Sequence, residues 1–238
     1  MTNVFGYKVL DGEKEQVVRS ILHQMKNTRE ALSLVCLNHY ALLWSRVDED
    51  FGKAIRDADF VITDGVFAKI CAWLAGSRSS RITGYDLFVG LNRLLNREGG
   101  YTCFFLGSTE RVLRRLIKRF RRRFPAVEVA GYYAPAFMED FDEEESRRML
   151  EVVNRAEADI LWVGIAQPKQ EKWIYRNKRR LGVRLACAVG AVFEFFALTE
   201  RRAPTVFRDA GLEWLWRCFT KPQRTLPRLI RPSISFLR

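Results

Sequence analysis

The densest chemistry in the chain lies in Asp159–Tyr175, DILWVGIAQPKQEKWIY. Ile160–Ile165 is apolar throughout, the pattern of a strand buried on both faces of a parallel sheet. Gln167-Pro168-Lys169-Gln170-Glu171 follows directly, so Lys169 and Gln170 are expected at the carboxyl end of that strand, where open α/β sheets hold ligands. The free amides of a new helix would suit an anionic group there. A surface turn that is polar because loops are polar is the plainer alternative.

Val61-Ile62-Thr63-Asp64-Gly65 has the same form: a carboxylate ends a buried run, and a glycine lets the backbone turn sharply. In a water-poor cleft Asp64 could act as general base on a hydroxyl. An Asx turn or a helix N-cap is the structural alternative. Asn38, after Leu37, reaches the same edge as a partner for a sugar or as an ordinary turn residue. Arg81-Ile82-Thr83-Gly84 sets a cation beside a flexible loop, for a phosphate or for solvent. Gly107-Ser108-Thr109 could present amides to an anion, but it is neither GxGxxG nor a P-loop, which removes the usual support for dehydrogenase and ATPase readings. Asp-x-Asp occurs at Asp48–Asp50, Asp57–Asp59 and Asp140–Asp142. With 28 acidic residues such pairs arise by chance, and all three sit in charge-rich helical segments, so no metal site is assigned to them.

Positioning these residues takes a sheet. Strands are expected at Leu32–Asn38, Phe60–Thr63, Tyr101–Leu106, Val127–Tyr132, Ile160–Ile165 and Val183–Val189. Helices are expected at Glu13–Lys26, Tyr40–Ala58, Val66–Ala75, Tyr85–Asn96, Thr109–Phe124, Glu143–Ala156 and Lys169–Leu181. This alternation predicts an α/β fold, a Rossmann-like, mainly parallel sheet flanked by helices. Arg111–Arg123 holds eight Lys/Arg, while Val112, Leu113, Leu116, Ile117 and Phe120 recur at helical spacing. That is an amphipathic helix with a wet basic face before it is a nucleic-acid site. The acidic residues Glu139, Asp140 and Asp142–Glu145 read as a helix start, where the macrodipole favours carboxylates.

With 238 residues, 48% hydrophobic, the chain can bury a large core, and disorder is excluded as its class. The formal charge of +12 points to polyanionic partners: nucleic acid, an anionic membrane surface or phosphorylated substrates. Much of it is at one end, since residues 201–238 hold nine Lys/Arg against Asp209 and Glu213. Leu212, Leu215, Phe219, Leu226 and Leu229 share one helical face there, opposite Arg217, Lys221, Arg224, Arg228 and Arg231. Pro222, Pro227 and Pro232 break the run into short segments. Trp214 and Trp216 add the aromatics that settle at a membrane interface. The five cysteines show no CxxC pair, and two histidines leave no zinc cluster at familiar spacing. Cys36, Cys103 and Cys187 fall in apolar runs and are expected buried and reduced. The start has no signal pattern, and Leu185–Leu198 is too short and too charged to span a bilayer. A cytoplasmic protein, peripheral on the inner face of the membrane, is expected.

Taken together, the segments CLN (Cys36–Asn38), TDG (Thr63–Gly65), RITGYDL (Arg81–Leu87), FLGS (Phe105–Ser108), VGIAQPKQEKWI (Val163–Ile174), VGAVFEF (Val189–Phe195), RAP (Arg202–Pro204), GLEWLWR (Gly211–Arg217) and KPQR (Lys221–Arg224) resemble the WecG/TagA/CpsF family of bacterial glycosyltransferases. The resemblance implies inverting transfer from a UDP-sugar donor to a polyprenyl-diphosphate-linked acceptor, in surface polysaccharide or teichoic-acid-type synthesis. It makes Asp64 the base, and Asn38, Arg81 and Gln170 the pocket lining. Arg217, Arg224 and Arg228 would belong to a C-terminal appendage that covers the site at an anionic membrane surface and holds the diphosphate. Residues 1–200 would then be the catalytic domain and 201–238 the appendage, with no cofactor or metal and no nucleic acid; a homo-oligomer is left open. The chain departs from the family at Cys36, where Thr is frequent, Glu194 for Asp, Leu198 for Gly, and Tyr85 for a small residue, which leaves the sugar open. The rival readings are a basic nucleic-acid-binding protein and an inactive family member that serves in assembly.

Overall fold

Each apolar run is followed by a helix that returns the chain to the same starting edge, and that connection makes neighbouring strands parallel. The computed structural model describes residues 1–77, 81–138, 140–209, 213–220 and 223. The chain opens with a hairpin absent from the expected elements, β1 (Thr2–Val4) against β2 (Tyr7–Val9), antiparallel. Its turn residues Phe5 and Gly6 stand at φ 52° and 89°. With three residues a side, it is too short for alternation to announce. Six longer strands follow: β3 (Leu32–Leu37), β4 (Phe60–Thr63), β5 (Tyr101–Gly107), β6 (Val127–Tyr133), β7 (Ile160–Gly164) and β8 (Leu185–Ala188). They form one sheet in the order β4-β3-β8-β7-β5-β6, parallel at every pairing.

The helices are α1 (Lys14–Lys26), α2 (His39–Trp44), α3 (Glu49–Arg56), α4 (Val66–Leu74), α5 (Gly84–Glu98), α6 (Glu110–Arg123), α7 (Glu143–Arg155), α8 (Lys169–Asn177), α9 (Val192–Phe196), α10 (Thr205–Asp209) and α11 (Glu213–Thr220). Side chains alternate across a strand, so Leu34 and Cys36 pack with α1, α5, α6 and α9 on one face. Val35 and Leu37 pack with the hairpin and α2, α3, α4, α7 and α8 on the other. The α/β architecture with both faces covered is as the pattern predicts. The expected helix at Tyr40–Ala58 is two helices instead: Asp48 accepts the Phe51 amide at 3.0 Å and starts α3 afresh. The Lys169–Leu181 helix ends as α8 and a 3-10 turn at Lys178–Arg180. On α6 all five apolar positions are buried, and Arg119 and Arg123 lie over the Phe196 ring, so part of the basic stripe is packed. No helix among the described residues is long and apolar enough to cross a membrane.

Two close approaches hold the sheet edge that matters for function. A Cβ on Gly164 would stand 2.3 Å from Cδ2 of Phe193. Gly107, at φ 123°, would place one 2.6 Å from the Gly164 carbonyl oxygen. Only glycine lets β5, β7 and α9 meet this tightly. Gly164→Ala should therefore cost about 1–3 kcal/mol, because Phe193 must leave a packed aromatic cluster. Urea unfolding with an unchanged m-value would register the loss; an unshifted midpoint would mean that the cluster gives way freely.

Candidate active site

β3 and β4 end side by side, and the residues after them set the site. The Asp64 amide donates to the Leu37 carbonyl at 2.9 Å, which draws Asp64 against the start of α2. Gly65, at φ 99°, then turns the chain into α4. The Ile82 amide donates to the Thr63 carbonyl at 3.2 Å, and the Gly84 amide to Oδ2 of Asp64 at 3.5 Å. Thr83 and Asp86 close a capping box around that helix start, which fixes Gly84 as the first residue of α5. Asp64 thus meets the N-terminal end of a helix. Arg81 is half-buried on the same rim.

Asn38 caps α2: its Oδ1 accepts the Ala41 amide at 2.9 Å, while its Nδ2 donates to Oε1 of Gln167 at 3.0 Å. Gln167 Nε2 donates to the Cys36 carbonyl at 3.2 Å and to Oε1 of Glu171 at 2.8 Å. Gln170 Nε2 donates to that same oxygen at 2.8 Å, and its Oε1 accepts the Ile165 and Gly190 amides at 3.3 and 3.1 Å. One polar network therefore ties together the carboxyl ends of β3, β7 and β8. At its centre Glu171 is 1% exposed, and its second oxygen, Oε2, is buried without a hydrogen-bond partner among the described residues. Burial pushes the Glu171 carboxyl up to about 7, against the two amides that favour its charge. Burial likewise pushes the Cys36 thiol well above its ordinary value, with the charges of Asp64 and Glu171 adding to it. Both carboxyls therefore lie within electrostatic reach of one sulfur.

The structure brings Asp64, Asn38 and Arg81 to one rim. Gln170, 1% exposed, lies beneath that rim as a staple between the ends of β7 and β8. Lys169 turns elsewhere: its ammonium donates to the Met138 carbonyl at 2.6 Å and sits 5.5 and 5.4 Å from the Phe137 and Phe141 rings. Arg217 belongs to α11, but its side chain, like Arg224 and Arg228, lies outside the described residues. The parts of the network missed in the sequence are Gln167 and Glu171. A signal existed, since Gln170, Glu171, Trp173, Ile174 and Asn177 recur at helical spacing on the buried face of α8.

The Asp-x-Asp pairs have structural work. Asp48 caps α3 and pairs with Lys172 at 3.0 Å, Asp50 pairs with Arg176, Asp59 holds Ser33 and Lys178, and Asp142 caps α7. The four family departures also have local partners or geometry. Ser108, at φ 55°, donates its hydroxyl to Oε1 of Glu194 at 2.7 Å. The Tyr85 ring lies 4.6 Å from the Arg202 guanidinium, which pairs with Glu213 of α11 at 3.4 Å and so ties that helix to the rest of the fold. Leu198 stands at φ 55°, in the left-handed region that glycine enters at no steric cost. The Cys36 thiol donates to the Ala188 carbonyl at 3.5 Å.

Glu171 also gives the site a pH signature. A carboxyl raised from 4.5 to about 7 keeps its proton in the folded state after the unfolded chain has lost it. Its contribution is full at pH below 4.5 and falls as pH rises through 7, by on the order of 3 kcal/mol. Glu171→Gln keeps an acceptor for both amides and removes the titration. The variant should gain stability relative to the parent between about pH 5 and about pH 8, read as denaturant midpoints. Parallel pH profiles for the two proteins would contradict the raised carboxyl.

A model of the Glycosyl transferase WecG/TagA/CpsF family matches residues 2–238. The chain is 30% identical over 175 residues to a Bacillus spizizenii protein named N-acetylglucosaminyldiphosphoundecaprenol N-acetyl-beta-D-mannosaminyltransferase, an alignment covering 73% of this chain and 65% of that one. It thus spans just under two thirds of that relative's length. Proteins of the same name from Bacillus subtilis and Staphylococcus aureus are 25% and 24% identical, over 79% and 78% of this chain and 71% of theirs. With the family pattern running from residue 2 to residue 238, the chain belongs to the WecG/TagA/CpsF family of glycosyl transferases.

Proposed function

We propose that this chain transfers a sugar from a UDP-sugar to a saccharide hydroxyl carried on a polyprenyl diphosphate, with inversion at the anomeric carbon. The observation that carries this reading is the Asp64 carboxylate on the rim of the sheet, one oxygen against the Gly84 amide and with Asn38 and Arg81 beside it. In the proposed step the acceptor oxygen bonds to the anomeric carbon as Asp64 takes its proton. The bond from that carbon to the UDP oxygen breaks, and its electron pair leaves on the diphosphate. Asn38, held by Gln167, lines the sugar site; Arg81 answers a phosphate; Gln170 acts from below by fixing the Gly190 and Ile165 amides. Lys169 contributes by tying the β6–α7 connection to the start of α8.

Residues 1–200 form the catalytic domain in this reading, and 201–238 the appendage that supplies Arg217, Arg224 and Arg228 to the leaving diphosphate. Guanidinium groups in that place would neutralise developing charge without a metal. Exposed Val206 and Phe219 on α10 and α11 support contact of the appendage with the inner face of a membrane. The three named relatives share one acceptor and one transferred group. N-acetylglucosaminyl-diphosphoundecaprenol and an N-acetylmannosaminyl donor are accordingly the first pair to test.

Asp64→Asn tests the assignment, because the amide preserves size and loses the base. The expected result is a turnover lowered by about 10²–10⁴-fold, with the calorimetric affinity for UDP nearly unchanged. Undiminished turnover would remove Asp64 as the base.

A further inference from the structure

α4 leaves the site rim two residues after Asp64, and it is not a buried helix. Ala68, Cys71 and Ala72 pack it onto the sheet, while Phe67, Ile70, Trp73 and Leu74 are 56, 48, 69 and 73% exposed. These four recur at helical spacing on one outward stripe, a face that water should penalise. Along the chain between Asp64 and Asp86 the charged residues are Lys69, Arg78 and Arg81, while the Asp11 carboxylate accepts the Ser77 hydroxyl beyond the end of α4. Lys69 is exposed on α4 itself.

We infer that this stripe is a lipid-docking surface, by which α4 seats in the interface of an anionic membrane and sets the height of Asp64 above it. The inference rests on the proposed acceptor, whose polyprenyl chain stays in the bilayer and keeps the reacting hydroxyl near the headgroups. α4 is about 12 Å long from Val66 to Leu74 at 1.5 Å per residue, and such a helix lies in the interface plane with its apolar face inward. Exposed Trp and Phe with a neighbouring cation are the side chains such an interface takes up. A second copy of the chain is a poorer occupant. With a full aromatic near 150–250 Å², the stripe presents on the order of 500 Å², short of the ~800 Å² per partner of a standard protein interface. Every variant below retains residues 201–238.

The test compares the full chain with Phe67→Ser/Ile70→Ser and Trp73→Ser/Leu74→Ser. Each is co-sedimented with vesicles of phosphatidylglycerol and phosphatidylethanolamine, with thermal melts to show that these exposed sites leave the fold intact. The expected result is vesicle affinity lowered at least about tenfold in each double variant. Transfer to a long-chain acceptor in vesicles should fall with it, and transfer to a short, water-soluble acceptor should persist. Unchanged vesicle affinity would overturn the inference and leave the proposed reaction standing. A dimer in sedimentation velocity that the substitutions dissolve, with vesicle affinity unchanged, would overturn it in favour of a second copy. If no acceptor is used by the parent but the vesicle affinity still falls, the lipid surface stands and the reaction is at fault.

Discussion

Parallel pairing is the constraint on which the rest of this molecule depends. Because all six strands of the main sheet run the same way, every strand ends on one edge, and Asn38, Asp64, Ser108 and Gln167 arrive there from four different strands. An antiparallel partner anywhere among β3, β4, β5, β7 and β8 would send its following loop to the opposite edge. The pairing holds at that edge because Gly107 and Gly164 allow backbone and ring to approach where a methyl group would not fit. The site therefore inherits its geometry from core packing on both faces of the sheet.

Beneath the rim, stability and reactivity meet in one buried network. Gln167, Gln170 and Glu171 hold the ends of β3, β7 and β8 through hydrogen bonds, which a low dielectric strengthens. The same low dielectric raises the Glu171 carboxyl to about 7 and leaves its Oε2 unsatisfied, a standing cost in the centre of the fold. Asp64 is half-buried and meets the start of α5. Two carboxyls around one cysteine are thus set to different tasks by their surroundings, one as a tie and one as the proposed base.

The sheet was legible in the sequence because its strands are short apolar runs ended by polar turns, and Asp64 and Asn38 were legible because they end such runs. Asp48 looked like one more acid in a long helix, since N-capping depends on the backbone turn that it initiates. Gln170 read as a ligand-facing loop residue; its contacts with Gly190 join positions twenty apart in sequence, which no local pattern encodes. The α4 run was read as a helix, but whether a neighbour covers its outer stripe is a property of the assembled fold. Leu198 departs from the family glycine at a position whose left-handed backbone the sequence alone does not display.

An α/β scaffold, a carboxylate on its rim and an apolar helix leaving that rim fit the proposed chemistry on a substrate anchored in a membrane. The most direct measurement is UDP release from UDP-N-acetylmannosamine by the full chain, with N-acetylglucosaminyl-diphosphoundecaprenol supplied in vesicles. The account predicts release only when both are present, in step with formation of a lipid-linked disaccharide. Release that is indifferent to the acceptor, or no release across a panel of UDP-sugars with that acceptor present, would contradict it.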